Sequence, residues 1–125
     1  MKLRTIAAAL VLGAGVLVGT ASPASAATCS GTHLDNWPIT GGYIAVYYNS
    51  STGYNCAMTY TNRPGVSQYI RVTLSAIGGS SRTDAQYYKY YAGPVSVYGK
   101  GKCIEVYGQV GYSNPVEGFG PAYCS

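Results

Sequence analysis

The residues best suited to catalysis in this sequence are one histidine and a small number of carboxylates. His33 lies close to Asp35, but Ser–His–Asp chemistry also needs a positioned serine, and no G-x-S-x-G motif is present. Glu105 and Glu117 are the pair that a glycosidase would use. Glu105 lies in a strand-like segment and Glu117 in a Gly-rich tail. This setting indicates that both are solvated surface charges rather than a catalytic pair. We therefore predict no catalytic residues and no enzymatic activity.

Metal and cofactor sites are not indicated either. No two cysteines form a close C-x-x-C pair of the kind that binds zinc. Gly99 and Gly101 form a Gly-x-Gly pattern, which we assign to a hairpin turn rather than to a phosphate-binding loop. We assign Asn49, in an Asn-Ser-Ser sequon, to turn chemistry as well. We expect no metal and no cofactor.

The N-terminus has the pattern of an export signal. Lys2 and Arg4 precede an apolar run over residues 6–18, which is shorter than the about 20 residues that a membrane span needs. Ala24, Ser25 and Ala26 then supply a small-residue cleavage site. We predict a signal peptide over residues 1–26 and a single secreted domain over residues 27–125, without membrane attachment after cleavage. An uncleaved membrane anchor is the alternative.

All four cysteines lie in the predicted mature chain, which indicates two disulfide bonds in an exported domain. They are Cys29, Cys56, Cys103 and Cys124. Of the three pairings that four cysteines allow, we favour the sequential one, which keeps each bridge within one half of the chain, over one that joins the two ends. Each bridge is expected to add about 3 kcal/mol by restricting the unfolded chain.

The net charge of the protein argues against one class of partner. The whole sequence carries +4, and removal of Lys2 and Arg4 with the signal peptide leaves +2 on the mature chain. Nucleic-acid surfaces need clustered basic residues, whereas these charges are scattered, so we expect no nucleic-acid binding. Mild attraction to anionic cell-wall polymers is consistent with the charge. The sequence indicates no oligomeric state.

Short segments of alternating polarity, separated by turn residues, predict β structure throughout the mature chain. The clearest alternation spans residues 69–77, where Ile70, Val72, Leu74 and Ala76 are expected to face a core. Other strands are predicted at residues 43–48, 56–61, 87–91, 95–98 and 103–107, with a flexible loop at 78–84, a break at 92–94 and an irregular tail. We predict an all-β fold, a small antiparallel sandwich or barrel of six to seven short strands with two disulfides.

Tyrosine dominates the aromatic residues, with 14 tyrosines against one Trp and one Phe. Alternation through residues 87–91 predicts that Tyr88 and Tyr90 complete a thin aliphatic core, which also includes Met58. The residues predicted to face outward form a candidate surface for binding glycan: Tyr87, Lys89, Tyr91, Tyr43 and Tyr47. A purely structural role is the alternative, because tyrosine suits half-exposed strands.

Several segments together resemble a known family. The segments are YNSSTGYNCAMTYT at residues 48–61, TDAQYYKYYAGPVSVYGKGKCI at residues 83–104, and the four-cysteine frame from Cys29 to Cys124. They resemble the small secreted spore-associated proteins of Streptomyces and related actinobacteria, over nearly all of residues 29–125. The resemblance implies export and association with spores or the cell surface, and it carries over no catalytic residue. This chain is richer in tyrosine in its middle than the family leads us to expect.

Three functions remain open at this point. The first is a secreted, non-enzymatic protein of the spore or cell surface, with spore coat or cell-wall polymer as its partner and exposed tyrosines as its contacts. The second is a secreted protease inhibitor that presents a rigid loop, at residues 78–84 or 111–121. The third, which the residues support least, is a hydrolase that uses Glu105 and Glu117.

Overall fold

A computed structural model describes residues 28–124, so the predicted signal peptide lies outside the described residues. Over this range the chain forms eight β-strands and no helix, so no helix of this part could cross a membrane. The strands are β1 (Thr32–Ile39), β2 (Gly42–Asn49), β3 (Tyr54–Thr61), β4 (Gln68–Ala76), β5 (Ser81–Tyr88), β6 (Tyr91–Tyr98), β7 (Ile104–Val110) and β8 (Glu117–Ala122). The prediction of an all-β fold is confirmed, but the expected six to seven strands were too few.

The strands form two antiparallel sheets of four strands each, packed face to face as a sandwich. The first sheet has the order β1-β2-β3-β6, and the second has the order β5-β4-β7-β8. The hydrophobic core lies between them. Ile70, Val72 and Leu74 of β4 are fully buried in it, as their alternation predicted. Ile44 and Val46 of β2 are buried in the same core from the opposite sheet.

The strands that the sequence indicated poorly are edge strands. β1 contains Pro38 and β8 contains Pro121, and proline is tolerated at a sheet edge because one side of the edge strand needs no hydrogen-bond donor. β5 is also an edge strand, and its polar first half was wrongly predicted as part of a loop over residues 78–84. Only residues 77–80 form the turn; Ser81 already pairs with Ser75 of β4.

The break predicted at Ala92, Gly93 and Pro94 is absent, since these residues belong to β6. The pairing of β6 with β3 shifts register between Ala57 and Thr59, which accommodates the irregular segment. Gly93 has a φ of 96°, a conformation that only glycine adopts readily. The Gly93–Pro94 peptide bond is cis. A bulged edge strand therefore replaces the expected break.

Residues 87–91 are not one strand, contrary to the prediction. β5 ends at Tyr88, Lys89 and Tyr90 form a turn, and β6 starts at Tyr91 in the other sheet. The alternation that assigned these side chains to faces is interrupted at the turn. As a result Tyr90, which was expected to be buried, is 57% exposed.

The two disulfides lie at one end of the sandwich. Cys29 is bonded to Cys56 and Cys103 to Cys124, which is the sequential pairing that we favoured. The turns at residues 50–53, 77–80 and 99–103 lie at this end, which we call the disulfide end. The opposite end carries the turns at residues 40–41, 62–67 and 89–90 and the loop at 111–116. We call it the aromatic end because of the tyrosines described next.

Candidate binding surface

A row of three tyrosines crosses the outer face of the first sheet near the aromatic end. Tyr43 of β2 pairs with Tyr60 of β3, which pairs with Tyr91 of β6. The ring centroids of Tyr43 and Tyr60 are 5.1 Å apart, and those of Tyr60 and Tyr91 are 5.6 Å apart. Strand pairing therefore brings together three rings that are far apart in the chain, within the range of favourable aromatic contacts.

These rings cover a small apolar layer outside the main core. Ala45 and Met58 are almost fully buried although they point to the same outer face as Tyr43 and Tyr60. The Tyr60 hydroxyl donates a hydrogen bond to the Met58 sulfur at 3.3 Å. The prediction that Met58 faces the main core is therefore wrong. Because a strand's side chains alternate between the two faces, Met58 lies with Tyr60 on the outer face, where the Tyr60 hydroxyl contacts its sulfur.

The phenol groups of this surface interact electrostatically. Burial raises the pKa of Tyr60, and the neighbouring phenols of Tyr47, Tyr43 and Tyr91 raise that pKa further. Like charges that would form close together disfavour ionisation. At neutral pH the Tyr60 hydroxyl is therefore an uncharged hydrogen-bonding group.

A second group of tyrosines lies on the outer face of the other sheet. Tyr69 of β4 sits between Tyr87 of β5 and Tyr112 of the loop after β7, with centroid distances of 5.8 and 5.1 Å in edge-on contacts. Tyr87 is 66% exposed and Tyr112 is 75% exposed. These two rings present more free aromatic surface than the row on the first sheet does.

A groove separates the two groups at the edge where β5 passes into β6. It is lined by Tyr88, Lys89, Tyr90, Tyr91 and Gly93 and has a volume of about 260 Å³. One carboxylate, that of Asp84, joins its two sides. The Tyr88 hydroxyl donates to one of the Asp84 oxygens, and the Gly93 backbone N–H donates to the other, both at 2.7 Å.

The Tyr88 phenol is held in its neutral form. Burial raises its pKa to about 12, and the hydrogen bond to Asp84 and the negative charge of that carboxylate act in the same direction. Tyr88 is half-buried and packs against the core, as was expected of it.

The five residues predicted to form one binding surface are divided among three places. Tyr43, Tyr47 and Tyr91 share the outer face of the first sheet, Lys89 lies exposed in the turn, and Tyr87 belongs to the second sheet.

Sequence reasoning did not single out Tyr60, Tyr69, Tyr90 and Tyr112 as surface residues. Tyr69 was within reach of the same reasoning, because it occupies the outward register of β4, whose alternation was already clear. Tyr60 was not, because it shares a face with Met58, which was expected to point into the core. Nothing in the local sequence marks Tyr112, whose neighbour Tyr69 lies on another strand.

The residues considered for catalysis have structural partners. The His33 Nε2 atom is hydrogen-bonded to the Asn36 side-chain oxygen at 2.8 Å, and its ring contacts that of Tyr47. The Asp35 carboxylate accepts one hydrogen bond from the Asn36 backbone N–H and one from the Tyr123 hydroxyl. His33 and Asp35 therefore have separate partners and do not form a relay.

The two glutamates lie on opposite faces of the second sheet. Glu105 lies on the outer face of β7. Glu117 pairs with Gly108, which lies on the core-facing side of β7, so Glu117 is on that side too. Both Glu117 oxygens accept hydrogen bonds from Thr40, one from its backbone N–H at 2.6 Å and one from its hydroxyl at 2.9 Å. Glu117 therefore links β8 of the second sheet to the turn between β1 and β2 of the first sheet. Because Glu105 and Glu117 lie on opposite faces, the structure does not support the hydrolase alternative. Within residues 28–124, no three His, Cys, Asp or Glu side chains are grouped to hold a metal ion.

The loop after β7 is the remaining candidate for an inhibitory loop. The Gln109 side-chain amide donates to the backbone oxygens of Tyr112 and Asn114, and the Asn114 amide donates to the Val110 oxygen. These side-chain hydrogen bonds therefore hold the backbone of the loop in place. It also turns back on itself, because the Asn114 N–H bonds the Gly111 oxygen at 3.0 Å. The predicted segment 111–121 shortens to 111–116, since β8 starts at Glu117.

Together these features define a small β-sandwich with two disulfides and aromatic surfaces concentrated at one end. The chain is 36% identical over 121 aligned residues to Spore-associated protein A of Streptomyces coelicolor, and the match covers 86% of this chain and 78% of that protein. The chain belongs to the spore-associated protein A family, which confirms the resemblance seen in the sequence. No family model matches the chain, and no solved structure matches it.

Proposed function

We propose that this protein is a secreted, non-enzymatic protein of the spore or cell surface that attaches to cell-wall glycan through its aromatic end. The relationship to Spore-associated protein A supports the location. The observation that supports the attachment is the concentration of exposed rings at that end, with Tyr87, Tyr90 and Tyr112 each more than half exposed. Isolated apolar residues are normal on a surface, whereas a group of large ones points to contact with a partner.

Tyrosine suits this task for two reasons. Its ring offers a flat apolar face to the C–H bonds of a sugar, and its hydroxyl forms hydrogen bonds with sugar hydroxyls. Here the rings are also held in place, because Tyr87 and Tyr112 each make an edge-to-face contact with the ring of Tyr69. A side chain that is already ordered loses less entropy when a ligand binds, so each contact contributes more to affinity.

The test compares two pairs of tyrosines at opposite ends of the sandwich. Tyr87→Ser with Tyr112→Ser removes exposed rings from the aromatic end. Tyr54→Ser with Tyr98→Ser removes an exposed pair of similar size, with centroids 5.7 Å apart, from the disulfide end. We expect the first change to weaken retention on washed spores and on insoluble cell wall by about tenfold or more. The second change should leave retention within about twofold of the wild type.

Melting temperature serves as the folding control for both variants. Equal retention of the two folded double variants would contradict attachment through the aromatic end. Recovery of the wild-type protein in the medium alone, with none on spores or cell wall, would contradict the proposed location.

A second candidate function, protease inhibition, has some support from the braced loop at residues 111–116. Hydrogen bonds from Gln109 and Asn114 would keep such a loop rigid in a protease cleft. A panel of secreted proteases at micromolar protein tests this function directly. Inhibition that disappears in a Tyr112→Ala variant would favour it over surface attachment.

A further inference from the structure

We propose that the groove between β5 and β6 binds an acidic sugar residue, whose anionic group contacts the Lys89 ammonium. This inference rests on the proposed attachment to glycan and names the class of sugar that is bound. It concerns a site distinct from the exposed Tyr87 and Tyr112 rings, so the two ideas are tested with different variants.

The dimensions of the groove suit one sugar ring. Its volume is about 260 Å³, slightly below the roughly 300–1,000 Å³ of sites that enclose drug-sized ligands. Three of its lining residues, Tyr88, Tyr90 and Tyr91, are aromatic, and Gly93 adds no side chain. A pyranose ring therefore finds aromatic surface for its C–H faces.

The groove is also braced before any ligand binds. Asp84 accepts one hydrogen bond from Tyr88 on β5 and one from Gly93 on β6, so a single carboxylate holds the two strands at a fixed separation. The turn that carries Lys89 is also fixed in place, because the Lys89 backbone carbonyl accepts a hydrogen bond from the Gly65 N–H at 2.9 Å. Preorganised walls reduce the ordering cost of binding.

Charge favours an anionic ligand. Lys89 is exposed, and within residues 28–124 no carboxylate forms an ion pair with it. Asp84 remains negatively charged at the groove, but both of its oxygens already accept hydrogen bonds from Tyr88 and Gly93, and its one charge is offset by two nearby cations, Lys89 and Arg63. Arg63 adds a second exposed cation on the neighbouring turn at residues 62–67. A carboxylate or phosphate on the sugar would supply the ammonium with a charge-assisted hydrogen bond, whereas a neutral sugar would not.

Binding to three purified polymers tests the inference: polygalacturonate, polyglycerol phosphate and a neutral β-glucan. We expect the secreted protein to bind at least one acidic polymer about tenfold or more tightly than the glucan, with affinity that falls as salt is added. Binding to polygalacturonate alone would identify a carboxylate ligand, and binding to polyglycerol phosphate alone would identify a phosphate.

Two charge-removing variants locate the contact. Lys89→Gln keeps much of the side chain's length and removes its charge, and it should weaken binding to the acidic polymer about tenfold. Lys89→Arg should retain most of the affinity. Lys100→Gln, at an exposed turn of the disulfide end, is the matched control and should bind like the wild type.

Four results would each overturn the inference: unchanged binding by Lys89→Gln, equal weakening by Lys100→Gln, equal affinity for the neutral glucan, or binding to none of the polymers. None of these results affects the spore-retention test, because that test changes Tyr87 and Tyr112 and leaves Lys89 in place.

Discussion

Tyr87 and Tyr91 lie on the outer faces of different sheets, although a single turn joins the strands that carry them. Tyr87 contacts Tyr69 on the second sheet, and Tyr91 contacts Tyr60 on the first. A variant that changes both would remove one ring from each of two surfaces. Experiments on attachment therefore pair Tyr87 with Tyr112, which shares its face.

The first prediction concerns the disulfides. The purified protein should show no free thiol under denaturing, non-reducing conditions, because all four cysteines are paired. Reduction should lower the melting temperature strongly, since loops closed over sequence separations of 27 and 21 residues each contribute about 3 kcal/mol. A stoichiometric thiol signal would contradict the pairing.

The second prediction tests the register of β4. Val72→Ala should reduce the free energy of unfolding by about 1–3 kcal/mol, because Val72 is fully buried and its loss leaves a cavity. Thr73→Ala should cost less than about 1 kcal/mol, since it removes only an outward hydroxyl contact with Thr83. Denaturant unfolding measures both. A larger cost at Thr73 than at Val72 would mean that the register is shifted by one residue.

The third prediction concerns a hydroxyl inside the core. Thr59 is fully buried, and its hydroxyl has no hydrogen-bond partner. Thr59→Val keeps the shape of the side chain and removes the unsatisfied group, so we expect unchanged stability or a gain of about 1 kcal/mol. Thr61→Val, whose hydroxyl does bond to Gln68, should destabilise the protein and serves as the comparison. A clear loss of stability in Thr59→Val would show that this hydroxyl has a partner.

The fourth prediction concerns the tyrosine row on the first sheet. Met58 should resist oxidation by peroxide because Tyr60 covers it, and Tyr60→Ala should expose the sulfur and accelerate sulfoxide formation. Tyr87→Ala, on the other sheet, should leave the oxidation rate unchanged. Mass spectrometry of the Met58 peptide follows the reaction. Rapid oxidation in the wild-type protein would show that the tyrosines do not cover this sulfur.

The fifth prediction follows from the raised pKa of Tyr88, about 12 in the folded protein against 10.0 for the free side chain. The unfolded state loses this proton at lower pH than the folded state. The stability from neutral Tyr88 is therefore fully present below about pH 10 and is lost as the pH rises toward 12. Burial raises the pKa of Tyr60 and Tyr123 too, so both act in the same direction.

Melting temperatures measured between pH 9 and pH 12 check this effect. Tyr88→Phe should show a smaller alkaline decrease than the wild type, because the ionisable group is gone. Tyr54→Phe, at an exposed position of the disulfide end, is the control and should follow the wild-type curve. Identical curves for all three proteins would exclude a stabilising role for the neutral phenol of Tyr88.

The sequence by itself determined the central strands and the class of fold. β2, β3, β4 and β7 each have two neighbours in a sheet, and three of them show clear apolar segments because their inward side chains fill the core. The four edge strands, β1, β5, β6 and β8, were missed or misplaced. An edge strand has one unpaired side and fewer buried neighbours, so it tolerates proline, glycine and polar residues that mask its pattern.

The tertiary structure alone decided which tyrosines share a surface. Alternation assigns side chains to a face only within one strand, and the turn at Lys89 and Tyr90 ends that relationship between Tyr87 and Tyr91. Strand pairing, which joins distant parts of the chain, placed Tyr43, Tyr60 and Tyr91 in one row and buried Met58 beneath Tyr60. At the groove beside Lys89, the Asp84 carboxylate likewise joins two strands of different sheets, which no pattern within one strand predicts.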